Sequence, residues 1–289
     1  KGFRFKGDVW AMPEGTVFLE DIAARITFVS RITAAIEAMI TPAGLLMRHK
    51  KAGPDDIATI IFSSGSTGDP KGIMLSNHNI ISNVESFLMM VHFGPEDGMC
   101  GVLPFFHSFG FTATLWCPLL KGFSVFYHPN PVDGAKIAEL VRVNKLTVLL
   151  STPTFLMAYI RRATREDFAT LRIVVAGAEK LKKKIADHFE QQFGVRPLEG
   201  YGATELSPVA ALSVHDVKID GVKQVGNKDG SIGQPIPGVA MKIVDPDSGA
   251  AVPAGGQGLL LVKGPNVMLG YLNNPEKTAE VIKDGWYNT

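Results

Sequence analysis

The sequence predicts an α/β fold of stacked, largely parallel sheets with flanking helices, followed by a small β-rich subdomain. Three observations predict it. The short runs "ATIIF" at 58–62, "LTVLL" at 146–150 and "LRIVVAG" at 171–177 are rich in β-branched and aliphatic residues and read as buried strands. Between and after them, Gly134 to Asn144 and Lys180 to Phe193 carry apolar residues at helical spacing, such as Ile137, Leu140 and Val141, or Ile185, Phe189 and Phe193. Strands alternating with helices imply parallel pairing through crossovers. After about residue 230 the texture changes: "DPDSGAAVPAGGQG" at 245–258 separates the strand candidates "VAMKIVD" and "GLLLVKG" and marks a turn-rich β region. The organisation expected is an α/β part over 1–215 and the β-rich subdomain over 216–289.

Composition narrows the classes. With 46% hydrophobic residues in 289, the chain has enough apolar material for a large core. Basic and acidic residues balance at 29 to 28, so no broad electrostatic footprint for nucleic acid is present, and no nucleic-acid partner is expected. The single basic run, Lys182-Lys183-Lys184, reads as the solvated face of a helix. Cys100 and Cys117 are too few for a disulfide framework and lack metal-ligand spacing, so both are expected as core thiols in a reducing compartment. Arg31, Glu37 and Lys121 interrupt the most apolar stretches, short of a membrane span. The chain starts without Met and stops at "GWYNT", which reads as a fragment of a longer protein.

The densest chemistry lies in "SSGSTGDPKG", residues 63–72. Gly65 and Gly68 allow backbone N–H groups to crowd round a ligand, while Ser63, Ser64, Ser66 and Thr67 add hydroxyl donors. Lys71 adds a mobile positive charge, and together these groups suit an anion, above all a polyphosphate. The stretch is not a Walker loop, since Pro70 and Gly72 stand where glycine and Ser or Thr would flank the lysine. A flexible polar linker is the rival reading.

A second motif, "GYGATE" at 200–205, offers Tyr201 for stacking on a flat base, Thr204 for a phosphate and Glu205 for a Mg²⁺ ion. A tight turn with a surface glutamate would look the same. His107, in "LPFFHSFGFT", is a polar group within an apolar stretch, and a buried histidine satisfied by backbone is the alternative there. Two matches to the H-x4-D pattern of glycerolipid acyltransferases, His92 to Asp97 and His215 to Asp220, both read as surface loops and as coincidence.

The phosphate-type loop, "VVAGAEKL" at 174–181, "GYGATE" and "VKGPNVMLGYLNNPEKT" at 262–278 occur in that order, and together they resemble the adenylate-forming superfamily of acyl-CoA synthetases, luciferases and peptide-synthetase adenylation domains. The resemblance runs from about Val9 to Thr289. Within the superfamily it looks closest to the acyl-[acyl carrier protein] synthetase module of bacterial bifunctional 2-acylglycerophosphoethanolamine acyltransferases. Leu259 after Gly258, where many relatives carry glutamate, favours that subfamily.

The resemblance implies an N-terminally incomplete AMP-binding domain whose lysine-bearing C-terminal domain is absent, and hence a chain inactive alone. It implies ATP and Mg²⁺ as cofactors, with Ser63, Ser64, Gly65, Ser66, Thr67, Gly68 and Lys71 on the β- and γ-phosphates. Gly177, Ala178 and Glu179 would line the adenine edge, with Tyr201 and Gly202 at its face. Thr204 would meet the α-phosphate, Glu205 the metal, and His107 the substrate carboxylate. The activity implied is a fatty acyl-ACP synthetase, converting a fatty acid to acyl-AMP and passing it to a phosphopantetheine thiol of acyl carrier protein. An acyl-CoA synthetase and a nucleotide-binding fragment without catalysis are the alternatives. The setting implied is bacterial fatty-acid and phospholipid metabolism in the cytoplasm, with membrane contact only through other parts of the intact protein.

Overall fold

The computed structural model describes residues 19–41, 52–64 and 70–289, and the chain divides into two units, Lys1–Ala52 and Gly53–Thr289. In the first unit, helices span Leu19–Arg25 and Phe28–Ile40, and Thr27 caps the second, its Oγ1 accepting from the Ser30 N–H at 3.2 Å.

The second unit is built on a seven-stranded mixed sheet. Strands β1 (Ile57–Ser64) and β2 (Pro70–Ser76) precede it, and β3 (Gly98–Gly101), β4 (Ser124–Tyr127), β5 (Val148–Ser151), β6 (Ile173–Ala176) and β7 (Leu198–Gly202) form its parallel part. Then β8 (Val209–Leu212) follows, β9 (Val217–Ile219) and β10 (Val222–Gln224) make a hairpin, and β11 (Gln234–Pro235) returns to the sheet. The order across it is β11-β8-β7-β6-β5-β3-β4, with β7–β8 and β8–β11 antiparallel.

Every residue of β3, β5 and β6 is buried, because helices cover both faces of a parallel sheet and leave no face for polar residues. The crossover helices Gly134–Asn144, Pro153–Ile160 and Lys183–Phe193 supply the cover. On that layer Phe193 packs against Phe189 and Phe168 with ring centroids 4.6 and 4.8 Å away. Cys100 and Cys117 lie fully buried in the same core, both free thiols, as expected. Because β4 lies on one side of β3 and β5 on the other, the chain reverses direction across the sheet there, opening a crevice beyond the carboxyl ends of the strands.

Two smaller antiparallel sheets complete the unit. One is β1-β2-β14, with β14 at Gly270–Tyr271. The other joins β12 (Ala240–Val244), β13 (Leu259–Lys263), β15 (Ile282–Lys283) and β16 (Trp286–Asn288) in the order β12-β13-β16-β15. A second core of Ile61, Ile73, Ile80, Leu206, Met268, Tyr271 and Tyr287 fastens these sheets to helix Asn77–Leu88.

Three sequence expectations change in detail. "ATIIF" is a strand, but it pairs antiparallel with β2 across the 63–72 motif, Ser63 facing Lys71, instead of joining the parallel sheet. The helix expected from Lys180 starts at Lys183: Lys182 before it is in extended backbone (φ −70°, ψ 133°), and the Leu181 N–H donates to Glu199 Oε1 at 3.1 Å. Asp97 is buried, not on a surface loop: it pairs with Arg172 and accepts from Thr147 Oγ1 at 2.5 Å. Lys182, Lys183 and Lys184 are exposed at the helix start, as expected. Among the described residues no helix is long and apolar enough to cross a membrane.

Candidate functional site

The crevice holds a cavity of about 240 Å³ lined from segments distant in sequence: His107 to Phe109 after β3, Gly177 and Ala178 after β6, and Gly200 to Thr204 along β7 and its turn. Helix Asn77–Leu88 and the residues after it contribute Phe87, Val91 and Phe93. Close approach of backbone makes this possible. A Cβ on Gly202 would sit 1.8 Å from the Pro208 carbonyl oxygen, so that position requires glycine, while one on Gly177 would sit 3.0 Å from the Phe109 ring, which would have to shift to admit it. Ala178 takes a left-handed φ of 65°, which turns the chain sharply away from the end of β6.

The polar groups at the cavity are few. Ser108 Oγ and Thr204 Oγ1 lie 3.1 Å apart, and Ser108 is almost fully buried. His107 is exposed at the edge, its Nδ1 accepting from the Phe109 N–H at 3.2 Å. That bond keeps Nδ1 unprotonated and leaves Nε2 to carry the proton. Desolvation by its apolar neighbours lowers the pKa of the ring, which favours the neutral form. The histidine is therefore bonded to backbone, as its alternative reading held, but it is not buried.

The turn after β7 is pinned from two directions. Asn83 Nδ2 donates to the Val209 carbonyl at 2.6 Å while its Oδ1 accepts from the Val209 N–H at 3.2 Å, and Asn266 Nδ2 donates to the Leu206 carbonyl at 2.9 Å. The Met268 N–H donates to the Glu205 carbonyl at 2.8 Å. On β7 itself, Glu199 is buried, and desolvation raises its pKa although the Leu181 N–H and Lys180 act the other way.

Beside the cavity lies a charged cluster. Glu205 Oε1 accepts from the Tyr271 hydroxyl at 3.0 Å, and the Lys71 ammonium stands 5.5 Å from the centroid of the same tyrosine ring. Burial, and after it the Glu205 carboxylate, hold the Tyr271 and Tyr287 hydroxyls well above the ordinary phenol range, so both stay protonated donors.

Of the residues singled out from sequence, His107, Gly177, Ala178, Tyr201, Gly202 and Thr204 therefore meet at one cavity, and Lys71 and Glu205 meet at Tyr271 next to it. Ser63 is half-buried on β1, and Ser64 ends that strand. Gly65, Ser66, Thr67 and Gly68 lie outside the described residues. Glu179 faces solvent, its Oε2 accepting from Thr154 Oγ1 at 2.7 Å. The structure adds Ser108, Tyr271 and Tyr287. The first two stand inside motifs quoted for other residues, and Tyr287 stands in "GWYNT", where no local pattern marks it.

A larger open cleft of about 1010 Å³ runs along β14 and the helix Pro275–Val281. Apart from Met268 and Tyr271, it shares none of the residues just described, and the signature residues do not converge there.

Asp97 lacks the freedom a catalytic pair needs. Asp97 is held by Arg172, whose Nη2 also donates to the His92 carbonyl at 2.5 Å.

Comparison with known proteins follows this geometry. The chain is 31% identical to 4-coumarate–CoA ligase 1 of Arabidopsis thaliana over 96% of its own length and 48% of the relative's. It is 33% identical to a long-chain-fatty-acid–CoA ligase of Bacillus subtilis, over 84% of this chain and 43% of that one. It thus spans about half the length of the curated relatives it matches. Among solved structures, ATP-bound MatB from Rhodopseudomonas palustris superposes with a TM-score of 0.74 at 32% identity, over 82% of this chain and 45% of that one. The family model described as AMP-binding enzyme matches residues 17–272, which takes in the cavity and the cluster beside it, and the chain belongs to that family.

Proposed function

We propose that the protein carrying this chain activates a carboxylic acid with ATP, forming an acyl-AMP and pyrophosphate, and passes the acyl group to a phosphopantetheine thiol. The observation that carries this reading is the convergence of 107–109, 177–178 and 200–204 on one cavity with Lys71 and Glu205 alongside. Tyr201 offers a face for the adenine, and the Thr204 hydroxyl, oriented by Ser108, donates to the α-phosphate. Lys71 offers its charge to the leaving pyrophosphate. Acceleration then comes from positioning and charge neutralisation, with no nucleophilic side chain. The carboxylate oxygen of the acid attacks the α-phosphorus, and the neutral His107 donates from Nε2 to hold that carboxylate.

Magnesium fits this site. A hard carboxylate oxygen from Glu205, already steadied by Tyr271, suits an ion that takes one or two carboxylates and fills the rest of its shell with phosphate oxygens and water. Bound there, Mg²⁺ neutralises phosphate charge during transfer.

The acid is a fatty acid in this reading. Phe87, Val91, Phe93, Ala113, Leu150 and Leu212 line the cavity, and among the described residues no carboxylate lines it to meet an amino acid's ammonium group. The acceptor is acyl carrier protein on the motif resemblance. CoA is the second reading, favoured by the CoA-ligase relatives.

The test is ATP–pyrophosphate exchange with medium-chain and long-chain fatty acids, 4-coumarate and amino acids, followed by thioester formation with each acceptor. Fatty-acid-dependent exchange is expected, then thioester on acyl carrier protein. Faster exchange with an amino acid reverses the substrate reading, thioester on CoA alone reverses the acceptor reading, and ATP binding without exchange for any acid overturns the activity.

A further inference from the structure

Tyr271 belongs to the 262–278 motif and lies between the two charged groups beside the cavity. Its hydroxyl donates to Glu205 Oε1 at 3.0 Å, and its ring lies beneath the Lys71 ammonium at 5.5 Å. It therefore touches both charged groups of the phosphate side of the site, one through its edge oxygen and one through its face.

The tyrosine is itself firmly held. It is 5% exposed, its N–H donates to Thr278 Oγ1 at 2.9 Å, and it pairs with Ile73, two residues along β2 from Lys71. The β2–β14 pairing thus fixes the spacing between the ring and the lysine. The Met268 N–H fixes the backbone of Glu205 in turn, because it donates to the Glu205 carbonyl.

A carboxylate anchored through one hydrogen bond is fixed in orientation before a cation reaches it, and a lysine seated on an aromatic face has fewer rotamers to lose on binding phosphate. We infer that Tyr271 is a positioning residue, which orients Glu205 toward a divalent cation on ATP and seats Lys71 for the phosphates. This inference rests on the adenylation reading.

Tyr271→Phe separates the hydroxyl from the ring, keeping the packing and the cation–π contact while removing the bond to Glu205. The measurement is Mn²⁺ binding by electron paramagnetic resonance in the presence of α,β-methylene-ATP, alongside titration of that nucleotide without metal and the near-ultraviolet circular dichroism of each variant. Tyr271→Phe is expected to weaken Mn²⁺ by about ten- to a hundredfold, as loss of an outer partner of a metal ligand does, with metal-free nucleotide binding and the spectrum unchanged. Tyr271→Leu is expected to weaken metal-free nucleotide binding as well, because Lys71 loses its seat.

Wild-type Mn²⁺ affinity in Tyr271→Phe overturns the inference and leaves the adenylation reading standing. Equal losses with and without metal, or a lost native spectrum in Tyr271→Phe, also overturn it, since the hydroxyl would then serve the fold alone. Failure of the intact wild-type protein to bind the nucleotide with Mn²⁺ overturns the adenylation reading and this inference together.

Discussion

The two sides of the candidate site are made differently. The side formed by Gly177, Ala178 and Gly200 to Gly202 is mostly backbone at the ends of buried parallel strands, where shape comes from glycine and from close packing. The side formed by Lys71, Glu205 and Tyr271 is side chains, brought from β2, the turn after β7 and β14 and held by single contacts. The difference teaches where each side is vulnerable. Damage to the first should show as lost stability, and damage to the second as lost chemistry in a folded protein.

The largest effect should come from the scaffold of the first side. Burial works to raise the Asp97 pKa, but hydrogen bonds from Arg172, Thr147 and the Gly94 N–H outweigh it and hold the carboxyl below its usual range. Asp97→Asn is expected to cost about 3 kcal/mol in chemical denaturation, near the lower end for breaking a buried pair because Arg172 can partly rehydrate. A depressed native pKa gives stability that is present above the unfolded value and lost as pH falls through the native one. The gap between wild type and variant should therefore hold steady above about pH 5 and close below about pH 4. A pH-independent gap would show that the pair's charge does not matter.

Next comes the glycine at the end of the first side. Gly202→Ala places a methyl group 1.8 Å from the Pro208 carbonyl oxygen, which the backbone must move to accept. An expected cost of about 2 kcal/mol, with loss of nucleotide binding by calorimetry, follows from such overpacking. Full binding in this variant would mean the turn is not part of the nucleotide site.

The second side gives the smaller energies. In the intact protein, Lys71→Ala and Glu205→Gln should each slow pyrophosphate exchange at least about tenfold, about 1.4 kcal/mol in the barrier, while the denaturation midpoint barely moves. Wild-type exchange rates would remove both residues from the mechanism, and a large stability loss would erase the contrast between the two sides.

The smallest effect belongs to the buried thiols. Burial pushes both Cys100 and Cys117 up to about 12, Lys121 offsetting part of it at Cys117. Neither should react with iodoacetamide at pH 8 until the protein unfolds, as mass spectrometry would show. Prompt labelling would mean that the parallel-sheet core opens easily.

Much of the first side was legible. Runs such as "LRIVVAG" announce a strand covered on both faces, and Gly134 to Asn144 is a helix with the bounds its spacing suggests. Motif order also pointed to Tyr201 and Thr204, which lie together at the cavity. Boundaries failed where backbone conformation outside the periodic pattern decided them, as at Lys182, which is extended and puts the helix start at Lys183.

What the sequence by itself determined is what repeats locally: strand and helix periodicity, the turn-rich texture of 245–258, and clusters of hydroxyl, glycine and charge with recognisable chemistry. What only the tertiary structure decided is which of those groups meet. Tyr271 and Glu205 lie 66 positions apart, and Asn79, which caps its own helix and also donates to the Val267 carbonyl, reaches across 188. A hydrogen bond over such a separation leaves no pattern in the residues around either partner. It exists because two independent sheets and a helix bury one common core between them, and the groups at its margin are carried into contact.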